Sequence, residues 1–225
     1  MISTYNALQY LHIVLFAYWL GGDLGVFLAA RRVAQTDLTL DERLRFLQLL
    51  LATDMAPRTA LVLMVPVGST LAALAGWLAL PRALLAIIWV GSMLWLALTW
   101  HLYLQSRRGR ALARLTRLDR HVRLAVIGTF MGLAAGQLMG MLPTVPNWLA
   151  AKFALYAFVI VLGLLLRGVI TAWRLGFQQL RAGAGVDAAN DLIHGAHRRA
   201  ARLALALWIA VAVIAWLGVT KPALG

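Results

Sequence analysis

The sequence predicts an all-α fold: a polytopic membrane helical bundle of six transmembrane helices, with both termini on the outer side. Three observations carry that expectation. Of 225 residues, 62% are hydrophobic and 13% charged, with a mean hydropathy of +0.80; a soluble domain is roughly a quarter charged. Six runs, at 7–30, 59–80, 83–105, 124–142, 148–173 and 203–220, approach the roughly 20 apolar residues that a spanning helix needs. Lys and Arg are divided unevenly between alternate connections. This composition excludes a soluble enzyme and a disordered chain. It also excludes a nucleic-acid partner in spite of the net charge of +13, because the arginines punctuate apolar runs and do not line a polar surface. The absence of cysteine excludes disulfides, zinc–thiolate sites and Cys-ligated clusters. Residues 1–225 are read as a single transmembrane domain.

The first run lacks a basic n-region and an A-x-A cleavage site, so it reads as a retained span and not as a signal peptide. The 36-TDLTLDER-43 stretch reads as a capped helix with Thr36 or Asp37 at its start and acids in its first turn. Only Pro81 and Arg82 separate the second and third runs, which implies a tight helical hairpin. The fourth and fifth are joined by Pro143-Thr144-Val145-Pro146-Asn147, whose prolines stop one helix and start the next. Segments 31–58, 106–123 and 174–202 hold seventeen of the twenty-one Lys and Arg, against Arg82, Lys152 and Lys221 on the opposite side. By the positive-inside rule the arginine-rich loops are cytoplasmic, in a cell inner membrane. The loops are read first as setting topology only, with a grip on anionic lipid headgroups of the bilayer as the alternative.

Ionisable groups inside a span are costly and are functional candidates by default. His12 and Asp23 lie in the first run with Phe16 and Trp19 on the same strip; Lys152 and Arg167 lie in the fifth with Tyr156 and Gly163. At about 1.5 Å of rise per residue, His12 and Lys152 sit about 8 and 6 Å inside the outer ends, and Asp23 and Arg167 about 10 and 9 Å from the inner ends. An ion pair between Asp23 and Arg167 is therefore expected, fixing helix register or serving a proton or ion path. His12 and Lys152 are expected to line one outward-facing cavity. Gly128, Gly132, Gly136 and Gly140 share one face of the fourth run, a surface for helix packing or for a flat macrocycle. Met139 and Met141 end that run and are read as core residues or as soft ligands for Cu(I). On the inner side, His101 is the most buried of His101, His121, His194 and His197; 194-HGAH-197 has a spacing that could chelate a metal, but Arg198 and Arg199 beside it favour a solvated, phosphate-facing surface. His12 and His101 are the metal candidates, but about 16 Å of depth separates them in a core of about 30 Å, so they cannot ligate one iron together. No catalytic residue is assigned.

The stretch 9-QYLHIVLFAYWLGGDLGVFLAARR-32 resembles the first helix of the CopD-like and HemJ-like (protoporphyrinogen-oxidase-like) membrane proteins, with a histidine early in the helix and a Trp-x-Gly step after it. The 148-WLAAKFALYAFVIVLGLLLR-167 stretch is similar to a later helix of that group with its Trp-Leu-x-x-Lys step, and 55-MAPRTALVLMVPVG-68 to its Met-x-Pro start. These stretches cover about a third of the chain. The resemblance implies a bundle that handles haem b, a porphyrin or copper, with His12 as axial ligand and Lys152 as its basic partner. The haem-pathway members usually have four spans, and the histidine that follows their lysine is missing here; the copper-import members are longer. The leading expectation is a haem b electron-transfer protein, cofactor-bound through His12, Lys152, Trp19, Gly132, Gly136 and Arg167. A quinone, a partner redox subunit or a second copy in a homo-oligomer are its candidate partners. A copper or other metal-ion transporter and a non-catalytic membrane anchor subunit stand beside it.

Overall fold

The computed structural model describes residues 3–108, 112–142, 145–183 and 185–223. Among them seven helices follow one another: α1 (Thr4–Ala34), α2 (Leu40–Thr53), α3 (Met55–Leu74), α4 (Arg82–Arg107), α5 (Ala113–Leu138), α6 (Asn147–Arg181) and α7 (Val186–Thr220). Five segments are long and apolar enough to cross a membrane: α1, Leu40–Leu74 (α2 running into α3), α4, α6 and α7. This is consistent with a membrane protein. The expected fourth span at 124–142 forms the second half of α5, which is not among the five. Its helix starts well before 124, and its first turns carry Arg114, Arg117, Asp119, Arg120 and Arg123. Pro143 and Thr144, expected to close this helix, lie outside the described residues.

Local chemistry sets the helix ends. Thr39 caps α2, not Thr36 or Asp37: its Oγ1 accepts from the Glu42 N–H at 3.3 Å, and Glu42 Oε2 accepts from the Thr39 N–H at 2.8 Å. This reciprocal box satisfies two amide donors that a bare helix end leaves open. Pro66 lies inside α3 and has no N–H to continue the ladder. The helix is stitched to its neighbours on either side of that point. The Tyr156 hydroxyl of α6 donates to the Leu61 carbonyl, and Thr70 donates to the Pro66 carbonyl at 2.7 Å while accepting from Trp89 of α4 at 3.0 Å.

Neighbouring long helices run antiparallel. Trp89 and Trp100 of α4 reach Thr70 and Thr59 of α3 in reversed order. Gln137 near the end of α5 meets Asn147 at the start of α6 at 2.9 Å. Three apolar layers stack along the bundle. The central one includes Trp19, Val62, Val67, Trp95 and Ile160; one lies at the arginine-rich end around Val33, Leu50 and Trp173; the third gathers Val145, Trp148 and Leu217 at the other end. Lipid tails are as apolar as leucine, so close backbone approach has to hold such helices together. Gly22 supplies it between α1 and α3, since a Cβ there would sit 2.6 Å from Pro57 Cδ. Gly176 does so between α6 and α7, facing Ile193 Cγ1 at the same distance. Ile87, Val90 and Leu94 on α4 stay exposed, as a lipid-facing surface requires.

At the arginine-rich end, Arg43 of α2 is buried. Its Nε donates to the Val33 carbonyl at 3.0 Å, its Nη1 to Asn190 Oδ1 at 2.9 Å, and its guanidinium lies 5.2 Å from the Phe177 ring centroid. One side chain thereby joins α1, α2, α6 and α7.

Candidate functional site

Polar groups enter the bundle at two levels. At the level where α1 and α6 begin, His12 and Lys152 come together: the Lys152 ammonium acts electrostatically on the imidazole. His12 Nδ1 is buried and has no hydrogen-bond partner. Gly68 of α3 faces the ring, where a Cβ would lie 3.6 Å from His12 Cε1. Lys152 Nζ rests against Gly218 of α7, 2.7 Å from where a Cβ would stand, and 5.8 Å from the Trp148 ring centroid. Lys221 sits 4.7 Å over Trp77, which meets Trp148 edge-on at 4.9 Å. This level offers one imidazole nitrogen in need of a partner, two ammonium groups and a pair of indoles packed edge to face. Such a set can ligate a metal through His12 and neutralise carboxylates through the lysines. If a haem binds at this level, His12 Nδ1 is the nitrogen that would hold its iron.

The second level lies further along the bundle, where α1, the α2–α3 junction, α5, α6 and α7 enclose a cavity of about 120 Å³. Beside it, Asp119 of α5 is fully buried, with three donors on its carboxylate. Trp95 Nε1 donates to Oδ1 at 3.1 Å; Arg123 Nε and Arg167 Nη2 both donate to Oδ2, at 3.1 and 2.5 Å. The Arg123 guanidinium also lies 5.4 Å from the Trp95 ring centroid. The partner of Arg167 is thus Asp119, not Asp23 as its depth suggested. Because α5 begins at Ala113, Asp119 rides on a helix into the bundle, and three donors offset its desolvation better than one could.

Asp23 forms no salt bridge among the described residues, and its Oδ2 is buried without a hydrogen-bond partner. Trp19 lies within hydrogen-bonding reach of it, and Asp54 and Arg58 are its nearest charged neighbours. Those two pair with each other. His197 and Trp208 of α7 line the same cavity, and both carry a buried nitrogen with no partner, Nδ1 and Nε1.

The other candidates stand apart from both levels. His101 is exposed on α4, and His194 is half-buried beside His197. Gly132 is exposed with open space in front of it, and Gly136 meets only the Leu142 side chain. Met139 and Met141 are 70% and 72% exposed, not core. Among the described residues no group of three or more His, Cys, Asp or Glu could hold a metal ion. Asp119 is the functional-site residue that reading by spans missed. It is the sole acid among the seven arginines of 106–123, placed four residues before Arg123 on a helix, a spacing at which the two side chains meet. No protein family, curated protein or solved structure matches the chain.

Proposed function

We propose that the chain is an integral membrane redox protein that binds haem b at His12 and exchanges electrons with a quinone or a partner redox subunit. The reading draws on the likeness of its first and sixth helices to CopD-like and HemJ-like proteins. The observation that supports it most is the buried, partnerless Nδ1 of His12 beside Lys152. Bound haem supplies one-electron chemistry at a potential tuned by its axial ligand and surroundings. His12 holds the metal, Lys152 neutralises a propionate or a quinone oxygen, and Gly68 keeps the imidazole edge clear. Six spans with both termini outside, in an inner membrane with loops 31–58, 106–123 and 174–202 in the cytoplasm, complete the proposal; the basic-residue bias of seventeen to three supports it.

The absorption spectrum of full-length protein, produced with haem precursor and gently purified, tests the site. A Soret band is expected, lost in His12→Ala and retained with weaker haem binding in Lys152→Ala. Copper without haem would favour the metal-transporter reading, and neither would leave the anchoring role. A reporter fused at residue 225 is expected to be active on the outer side; activity in the cytoplasm would refute the topology.

A further inference from the structure

The cavity at the second level is independent of the haem proposal, and its charges can be counted. Asp54 and Arg58 pair with each other. Asp119 holds both Arg123 and Arg167, which leaves one cation in excess. Asp23 supplies the one remaining negative charge, and it does so without an ion pair. With Asp23 ionised the group is neutral. With Asp23 protonated it carries one unbalanced positive charge, which an entering anion neutralises.

The lining says what kind of anion. Arg123 and Arg167 each donate one described bond to Asp119, and a guanidinium has five N–H groups. Trp208 adds an indole N–H that can only donate and has no acceptor. Donors of this kind, a guanidinium fork above all, suit a carboxylate. Much of the remaining wall is apolar, with Leu61, Val159 and Leu207 among its members. About 120 Å³ holds several waters or one small organic molecule.

We propose that this cavity binds a small monocarboxylate together with one proton, the carboxylate on the arginines and Trp208 and the proton on Asp23. The one covalent change is the O–H bond that the incoming proton forms on the Asp23 carboxylate, and the group stays neutral because anion and proton enter as a pair. Asp23 is acted on by Trp19 of its own helix and by Asp54 and Arg58 at the α2–α3 junction, and it shares the cavity with Arg123 on α5, Arg167 on α6 and His197 on α7. Of these, His197 is the competing proton site.

Calorimetric titration of propionate into the full chain in lipid nanodiscs, in two buffers of different ionisation heat, tests the idea. Uptake of about one proton per propionate is expected, with affinity falling about ten-fold per pH unit where Asp23 is ionised in the free protein. Asp23→Asn should bind propionate without proton uptake, and His197→Gln should keep the uptake. Arg167→Lys, which preserves the charge and removes the fork, should weaken binding on the order of ten-fold; a melting curve for each variant shows that it is folded. Three results would each overturn the proposal. These are no propionate binding by folded wild-type protein, equal binding of the neutral isostere propionamide, and proton uptake that survives in Asp23→Asn but vanishes in His197→Gln.

Discussion

Asp119 and Asp23 are both carboxylates facing the interior, yet they do opposite work. Asp119 is saturated by Trp95, Arg123 and Arg167, whereas Asp23 keeps an oxygen with no partner. Removing the charge of Asp119 leaves the buried Arg123 and the half-buried Arg167 without their carboxylate, so Asp119→Asn should cost about 3–5 kcal/mol of stability. Asp23→Asn breaks no ion pair and should cost less than Asp119→Asn. Denaturant unfolding in detergent micelles checks the contrast; equal losses from the two variants would refute it. Neither role was readable from depth along a helix. Counting about 1.5 Å per residue places two groups at one height but does not say which neighbour each faces, and Arg167 faces α5. For His12 and Lys152 the same count pointed to residues that the fold does bring together.

Where helices touch, single glycines set the spacing. A Cβ on Gly176 would stand 2.6 Å from Ile193 Cγ1 and 3.2 Å from the Ala189 carbonyl oxygen. Gly176→Ala should therefore push α6 and α7 apart at a cost of about 1–3 kcal/mol. Adding Ile193→Ala makes room, so the double variant should lose less than the sum of the two single losses, as melting of all three proteins would show. The glycines that looked most organised in the sequence do no such work within the chain. A Cβ added at Gly128 or Gly132 of α5, or at Gly140 just beyond its end, would meet no atom within 4 Å. A four-residue spacing reveals that a face is smooth, not whether anything lies against it. The start of α2 was legible in a different signal: 39-TLDE-42 has the Thr-x-x-Glu form of a capping box, whereas Thr36 and Asp37 suit a cap only as isolated residue types.

At the scale of the whole molecule, the apolar runs located every long helix, but their outlines shifted where charge enters the bundle. α5 and α7 each begin in a segment read as a loop, since their first turns bury single residues (Asp119 and Arg123 on α5, Ala189 and Ile193 on α7) among exposed polar ones. Averages over a window of hydropathy conceal such amphipathic beginnings. The Arg43 clamp carries a consequence for how the chain is made. Asn190, the side-chain acceptor for Arg43, lies 147 residues downstream of it. Until the ribosome has delivered the start of α7, the early helices wait in the membrane with a guanidinium that lacks this acceptor. A chain ended after Arg181 should be cleared faster than the full chain in a pulse-chase experiment, and separately expressed 182–225 should slow its loss; equal lifetimes for truncated and full-length chains would contradict this. α7 then serves as a checkpoint of synthesis, since its arrival separates a chain with the Arg43 clamp closed from one that the cell's membrane proteases can still remove.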